Sequence, residues 1–200
     1  MEALLATSHS LSDYSILEHQ FRFAGWCAAT AASSSPVCRF KVQTGLEILR
    51  LSGVSDQFID WSDIPYSEAE FDELHKKTCQ KIIQTANLPR VKLSGKQAKF
   101  TYGIAAKLFN CYLKPIYLVN AGQSFLDKTV EKKQTVIHPP IDRVLLKNCK
   151  RQEPAAFRSI KKIAWSTFDE TEYFDVIKSL REFLVDEPFW KIEYFWDGHQ

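Results

Sequence analysis

The sequence predicts a mainly α-helical fold, with roughly eight or nine helices packed in one bundle. Apolar residues recur at helical spacing along most of the 200 residues, and few segments alternate with the period of a strand. Hydrophobic residues make up 45% of the chain and aromatic residues 13%, which is enough for a sizeable core. A chain of this length usually forms one domain.

The first half of the chain contains three long helical patterns. Ser12 and Asp13 are suitable N-terminal caps for the first, and Ser67 is a suitable cap for the third. His75 lies near the inner face of the third helix, where we expect a structural histidine. The helices predicted here span residues 14–32, 39–51, 68–86 and, as a shorter piece, 96–101.

Two motifs mark helix starts in the second half. Gly103 precedes one helix, and Pro139 and Pro140 precede another, for which proline is favourable at the first helical position. The helices predicted here span residues 105–117, 141–150 and 170–185, with a loop or short irregular helix over 120–135 and a packed aromatic tail over 189–196.

Charge is segregated along the chain although the net charge is only +2. Residues 1–89 carry 7 basic and 11 acidic side chains, residues 90–162 carry 16 and 4, and residues 163–200 carry 3 and 9. A basic middle flanked by acidic ends favours a face that meets a polyanion such as nucleic acid. We therefore expect a single domain over 1–200, or two lobes (1–89 with 163–200, and 90–162) with the site between them.

Several function classes lack their sequence signatures. There is no phosphate-binding Gly-x-x-x-x-Gly-Lys motif, no Gly-x-Ser-x-Gly and no His-Glu-x-x-His. The five cysteines are widely spaced and form no metal-ligand pattern. No apolar run reaches the ~18 residues of a membrane span, and no signal peptide is recognisable. We expect a soluble, cytoplasmic, monomeric protein that needs no metal or cofactor.

Lys107 and Asp142 are the candidate catalytic residues. Lys107 stands in an otherwise apolar helical run, and Asp142 follows a proline pair at the start of the next predicted helix. A helical lysine ordinarily reaches solvent, and an acid at a helix start is often only a cap. If the two side chains meet, however, they combine an amine nucleophile with a proton acceptor.

Three segments resemble the helix-hairpin-helix DNA glycosylases. The Gly-x-Ala-x-Lys of residues 103–107 resembles that family's hairpin and catalytic lysine, where Gly-x-Gly-x-Lys opens a helix. The Pro-Ile-Asp-Arg of residues 140–143 resembles the step that carries the family's catalytic aspartate. Residues 19–29 resemble the first helix of the divergent archaeal 8-oxoguanine DNA glycosylase branch. The resemblance implies an orthogonal helical bundle with a helix-hairpin-helix motif.

The chain departs from the family pattern at two points. Ala105 stands where the second hairpin glycine usually lies, and Lys107 and Asp142 are 35 positions apart, wider than in common members. Lys99, four positions after Gly95, is a second candidate for the lysine. Lys107 is preferred because its flanking residues match better.

The resemblance implies base excision from DNA through a lysine Schiff base. Lys107 would attack C1′ of the sugar as a neutral amine, which its apolar surroundings favour. Asp142 would take the ammonium proton or stabilise charge that develops on the sugar. The same intermediate permits strand cleavage by β-elimination, so the enzyme would be a DNA glycosylase with or without lyase activity.

The expected partner is double-stranded DNA with one base flipped into a pocket. Trp26, Trp61 and Trp165 are candidates for stacking on that base. Hairpin N–H groups and basic side chains would hold phosphates. The predicted DNA-binding residues are Tyr102, Gly103, Ile104, Ala105, Lys96, Lys99, Lys147, Lys150 and Arg151.

The target base and the biological role stay open. An oxidised purine, removed in DNA repair, is the default substrate that the resemblance implies. Removal of a hypermodified base from phage DNA, as an antiviral defence, is an alternative. Two non-catalytic alternatives are a helical DNA-binding protein that keeps the hairpin, and an interaction module whose aromatic tail docks a partner.

Overall fold

The computed structural model describes residues 14–119, 128–185 and 187–197. The described residues form helices and turns without a strand, apart from one isolated β-bridge between Arg39 and Ser94. The predicted mainly α-helical fold is therefore confirmed. The α-helices are α1 Ile16–Ala32, α2 Val42–Leu51, α3 Val54–Gln57, α4 Glu68–Ala86, α5 Tyr102–Leu113, α6 Lys128–Val136, α7 Arg143–Gln152 and α8 Glu170–Leu184.

Shorter helical turns connect and extend these helices. Three are 3-10 turns, over Trp61–Asp63, Trp165–Thr167 and Phe189–Phe195. The fourth is a π-helical turn, Lys114–Leu118, that continues α5. Pro115 has no N–H to donate to the preceding helical turn, which favours the wider hydrogen-bonding pattern there.

Helix α5 is the centre of the bundle. Of its twelve residues, eleven are buried, including both polar side chains Lys107 and Asn110. It packs against α1, α4, α8 and the Trp165–Thr167 turn. Helix α1 approaches its neighbours closely, because a Cβ on Gly45 of α2 would lie 2.5 Å from the Cβ of Ala29. The small residues of α1 thus permit a close helix neighbour.

Buried apolar side chains form one cluster that extends from Phe21 to Ile192. The aromatic tail joins it: the Phe195 ring lies 4.9 Å from that of Phe183 on α8, and Ile192 has no exposed area. Within the described ranges, no helix combines the length and apolar character needed to cross a membrane.

Two predicted elements differ from the structure. Residues 96–101 form no helix but the end of a loop after α4, so the helix-hairpin-helix arrangement is not seen at α5. Positive φ angles at Gly95 (111°) and Ala98 (49°) explain the difference, because they are incompatible with a right-handed helix. The second difference is small: a loop or short irregular helix was predicted over 120–135, and its described part, from residue 128 onward, belongs to the regular helix α6, while 120–127 lie outside the described residues.

Candidate active site

Lys107 and Asp142 lie side by side in the folded chain. Nζ of Lys107 is 3.5 Å from Oδ2 of Asp142. The Lys107 side chain is 7% exposed and the Asp142 side chain 17% exposed, so the pair is recessed in the surface. This lysine therefore does not extend into solvent as most helical lysines do. A buried ammonium group needs a partner, and Asp142 provides one.

Asp142 divides its carboxylate oxygens between a helix and the lysine. It is the N-cap of α7, and its Oδ1 accepts a hydrogen bond from the N–H of Leu145 at 2.9 Å. Its Oδ2 faces Lys107. Because the cap fixes one oxygen, the carboxylate cannot turn away from Lys107 without leaving an N–H of α7 unpaired.

The Trp165–Thr167 turn forms one aromatic wall beside the lysine. The centroid of the Trp165 ring is 5.6 Å from Nζ of Lys107. The N–H of Gly103 donates to the carbonyl of Phe168 at 3.1 Å. A Cβ at position 103 would lie 1.8 Å from the Trp165 carbonyl oxygen, so only glycine allows this approach. The first turn of α5 thereby places Trp165 next to Lys107.

Trp196 contacts two lysine ammonium groups. Its ring centroid is 5.9 Å from Nζ of Lys107 and 5.6 Å from Nζ of Lys114. Lys114 follows Lys107 by two helical turns and forms an ion pair with Glu193 in the C-terminal 3-10 turn. Ammonium groups are attracted to the negative face of an aromatic ring. The C-terminal segment therefore completes the site with an aromatic side chain and an acid.

A cavity of about 790 Å³ adjoins the Lys114–Glu193 pair. Its walls are mainly apolar and include Leu118, Phe183 and Trp190. Neither Lys107 nor Asp142 lines it. Its volume lies within the range of small-molecule pockets, ~300–1,000 Å³.

A buried polar network lies next to the segment that carries Asp142. Nε2 of His138 is 2.8 Å from Oδ1 of Asp72, and Arg181 donates to both oxygens of Asp72 at 2.8 and 2.9 Å. Burial alone would raise the pKa of Asp72, but hydrogen bonds and charges from Arg181 and His138 outweigh it and hold that pKa well below its usual range. Burial lowers the pKa of His138 to about 4, against the opposing effect of Asp72. His138 therefore pairs with Asp72, not with Asp142.

The network continues through Tyr173 and Asn110 to His75. The Tyr173 hydroxyl is 3.1 Å from Nδ1 of His138. Asn110 donates through Nδ2 to that hydroxyl at 2.9 Å and to the carbonyl of Pro139 at 3.0 Å. Its Oδ1 is 3.0 Å from Nε2 of His75, whose pKa burial holds well below its ordinary value. His75 is thus a structural histidine, as predicted.

Three of the N–H groups that were predicted to hold a phosphate at the α5 start already donate hydrogen bonds within the fold. The N–H of Gly103 donates to the carbonyl of Phe168, and those of the next two residues bond to Thr101. With these groups used inside the fold, they cannot receive a phosphate. The Tyr102 hydroxyl points inward, 3.2 Å from Nδ1 of His75. The buried residues concerned are Tyr102, Gly103, Ile104 and Ala105.

Two of the three predicted base-pocket tryptophans lie elsewhere. Trp26 is 53% exposed on the surface of α1. Trp61 packs on Tyr117, with ring centroids 5.0 Å apart. Trp165 alone among the three has its ring within cation–π distance of Lys107 in the described residues. Local sequence could not rank the three, because tertiary packing decides which ring reaches Lys107.

The predicted basic residues are all exposed. Lys99 lies in the loop before α5, whereas Lys107 is the lysine that pairs with Asp142. Lys150 reaches the Ile160 carbonyl at 3.4 Å. The exposed basic residues are Lys96, Lys99, Lys147, Lys150 and Arg151.

Four site residues were not predicted: Asn110, Lys114, Glu193 and Trp196. Lys114 could have been found from its spacing, because a residue two helical turns after Lys107 lies on the same face. Asn110 is a polar residue in an otherwise apolar run, which is itself a sign of a buried hydrogen-bonded role. Glu193 and Trp196 depend on where the tail folds, which local sequence does not determine.

Comparison of the chain with protein-family models, with curated proteins and with solved structures found no match. The chemistry must therefore be inferred from the site. It presents a recessed amine, a fixed carboxylate within 3.5 Å, and two indole faces beside the amine. This combination suits nucleophilic attack by an amine on an electrophilic carbon, next to a planar group that can stack.

Proposed function

We propose that the protein is a DNA glycosylase that excises a damaged or modified base, with Lys107 as nucleophile and Asp142 as its acid/base partner. The observation that carries the proposal is the recessed Lys107–Asp142 pair, whose Nζ and Oδ2 are 3.5 Å apart. The short sequence resemblance to helix-hairpin-helix glycosylases points to the same two residues. Because the segment before α5 is a loop, the resemblance does not extend to a helix-hairpin-helix arrangement there.

The reaction needs only these two groups and water. Asp142 accepts a proton from the Lys107 ammonium, and the neutral amine attacks C1′ of the nucleotide. The bond from C1′ to the base breaks, and the base leaves with the electron pair and takes the proton that Asp142 gained from Lys107. The C1′–O4′ bond of the sugar ring then breaks, O4′ takes a proton from the nitrogen, and an iminium ion forms between C1′ and Nζ. Water hydrolyses it, or β-elimination of the 3′ phosphate cleaves the strand first.

The aromatic walls suit a base that has left the helix stack. Trp165 and Trp196 both face the Lys107 ammonium, at 5.6 and 5.9 Å. A flipped base is held in such enzymes by stacking on aromatic side chains, which offsets part of the unstacking energy. A base stacked on either indole would bring its C1′ close to Nζ.

DNA would be held by the exposed lysines and arginines of the middle of the chain. Residues 90–162 carry 16 basic and 4 acidic side chains. Lys147, Lys150 and Arg151 lie on α7, the helix that Asp142 caps, so they are rigidly connected to the site. Contacts of this kind position the duplex without reading its sequence.

The cavity beside Lys114 and Glu193 favours a second candidate substrate, a base that carries a bulky substituent. Its volume of about 790 Å³ is available next to the site rather than within it. A substituent on a flipped base could enter it while the base itself stacks on Trp196. A hypermodified base in phage DNA fits this arrangement, and an oxidised purine in DNA repair would leave the cavity empty.

Borohydride trapping tests the proposal. Purified protein is incubated with duplexes that each contain one oxidised, alkylated or hypermodified base, and sodium borohydride reduces any iminium to a stable amine. We expect a covalent protein–DNA adduct with at least one duplex. Lys107→Ala should abolish it, and Asp142→Asn, which keeps a capping side chain, should slow it by ~10²–10⁴-fold.

Lys99→Ala is the matched control, because Lys99 is the alternative lysine and is exposed. At saturating DNA it should give the same yield of adduct, because losing one exposed charge weakens binding without removing the nucleophile. If no duplex gives an adduct or a released base while DNA still binds, the protein is a helical DNA-binding protein and the glycosylase proposal is wrong.

A further inference from the structure

We infer that Asn110 is a positioning residue that holds Asp142 against Lys107 through the carbonyl of Pro139. This inference rests on the proposed function for its kinetic consequence, but its structural part can be measured separately. Asn110 lies one helical turn after Lys107 on α5, and Pro139 lies three positions before Asp142. The Asn110–Pro139 hydrogen bond, 3.0 Å long, therefore joins the two chain segments that carry the catalytic pair.

The bond is made where water cannot replace it. Asn110 is 1% exposed, and both Nδ2 hydrogens have acceptors, the Pro139 carbonyl and the Tyr173 hydroxyl. Its Oδ1 faces Nε2 of His75 at 3.0 Å. Hydrogen bonds in such surroundings specify one arrangement, because losing a partner leaves a buried polar group unsatisfied.

One assignment of protons satisfies the hydrogen bonds of Asn110, Tyr173 and both histidines. His75 donates from Nε2 to Oδ1 of Asn110 and accepts at Nδ1 from the Tyr102 hydroxyl. The Tyr173 hydroxyl donates to Nδ1 of His138 and accepts from Asn110. With both histidines neutral, as burial favours, Asn110 has only one orientation in which its amide hydrogens reach the Pro139 carbonyl.

The segment from His138 to Asp142 is held at both of its ends. Two successive prolines cannot donate backbone hydrogen bonds, so the chain at 139–140 is held through its carbonyl groups and its packing. His138 anchors one end of the segment to Asp72, and the N-cap of α7 fixes the other at Asp142. Between these ends, the hydrogen bond from Asn110 to the Pro139 carbonyl joins the segment to the helix of Lys107.

Asn110→Leu removes both donated bonds while keeping a side chain of similar size. We expect base release in single turnover to slow by about 10²-fold, the cost of a displacement near 1 Å, with DNA affinity unchanged. Phe109→Leu, a buried substitution on the same helix, is the control for lost stability and should leave the rate within a few-fold.

A double-mutant cycle separates positioning from general loosening. If Asn110 acts through Asp142, adding Asn110→Leu to Asp142→Asn should slow the reaction little further. Full additivity of the two effects, or an unchanged rate in Asn110→Leu, would overturn the inference. Asn110→Ser, which is too short to reach the Pro139 carbonyl, gives the same comparison should the leucine variant not fold.

Amide hydrogen exchange tests the position of Asp142 without any substrate. Its Oδ1 protects the N–H of Leu145. In Asn110→Leu this amide should exchange about tenfold faster than in Phe109→Leu, when the two variants are compared under conditions that give them the same unfolding free energy. If the unchanged protein excises no base, the proposed function is wrong, but the exchange measurement still tests whether Asn110 positions Asp142. Equal exchange of the Leu145 amide in the two variants would disprove this inference.

Discussion

At the scale of single residues, Thr101 and Gly103 at the start of α5 determine where Trp165 lies. The Thr101 hydroxyl caps α5 and donates to the Ser166 carbonyl at 2.9 Å. Gly103 leaves room for the carbonyl of Trp165, which occupies the place a Cβ would take. A DNA phosphate was the predicted contact of Gly103. The approaching group is a peptide 62 positions later in the chain.

Gly103→Ala should therefore disturb the site as well as the fold. The added methyl would force the Trp165–Thr167 turn outward, and we expect a loss of ~1–3 kcal/mol in unfolding free energy, as for overpacked cores. Borohydride trapping should slow because Trp165 moves away from Lys107. Denaturant titration and trapping rates measure both effects.

Gly53→Ala is the control for backbone strain alone. Gly53 has a φ of 78°, and a methyl group added there would meet no atom within 4 Å, so its substitution costs strain without a clash. It should lose some stability and trap DNA normally. Equal effects of the two substitutions on trapping would contradict the role given to Gly103.

At the scale of helices, caps were predictable where a single candidate existed. Ser67 was predicted to cap α4, and its Oγ accepts from the N–H of Glu70 at 3.3 Å. Ser12 and Asp13 lie outside the described residues, and Ser15 caps α1. The helix predicted to start at residue 141 begins at Arg143, since Asp142 is the cap.

The predicted start of α7 was two residues too early because the two prolines before it carry opposing signals. Proline favours the first turn of a helix, yet a residue that precedes proline is driven to extended backbone, and Pro139 precedes Pro140. The bond from Asn110 to the Pro139 carbonyl adds a tertiary contact in favour of the extended form. The same contact brings Asp142 to Lys107, so the site depends on information that local sequence lacks.

The segment between α6 and α7 should make stability depend on pH. The pKa of His138 is about 4 in the fold and near 6.5 in the unfolded chain, so the unfolded state binds the proton first. Stability from the neutral histidine is complete above pH 6.5 and is lost as pH falls towards 4, by ~3 kcal/mol. His75, whose pKa burial also lowers, acts in the same direction.

Denaturant titrations from pH 7 to pH 4 measure this loss. His138→Gln, which can still donate to Asp72, should flatten the decline between pH 6.5 and 4 while lowering stability at pH 7. His19→Gln replaces an exposed histidine on α1 and serves as the control. A decline as steep in His138→Gln as in the unchanged protein would remove His138 as its cause.

At the scale of the whole molecule, the helical class was predictable, but the meeting of distant segments was not. Helical periodicity is local, so mainly α-helical structure follows from it directly. The site joins α5, the α7 cap, the Trp165 turn and the tail near Trp196. Which of the five tryptophans reaches Lys107 is decided by the packing of these segments around α5.

The salt dependence of DNA binding tests whether the basic middle of the chain is the binding face. Each phosphate contact releases condensed counterions, so its loss should reduce the slope of log affinity against log salt by ~0.9. Lys147→Gln and Lys150→Gln should each reduce this slope and should weaken binding equally for unrelated duplexes.

Lys178→Gln, on the acidic C-terminal helix α8 with a side chain 77% exposed, is the control and should change neither the slope nor the affinity. Because the three substitutions remove the same charge, net charge alone predicts equal effects, and only a face formed by α7 predicts the difference. Equal slopes in all three variants would therefore place the binding face elsewhere.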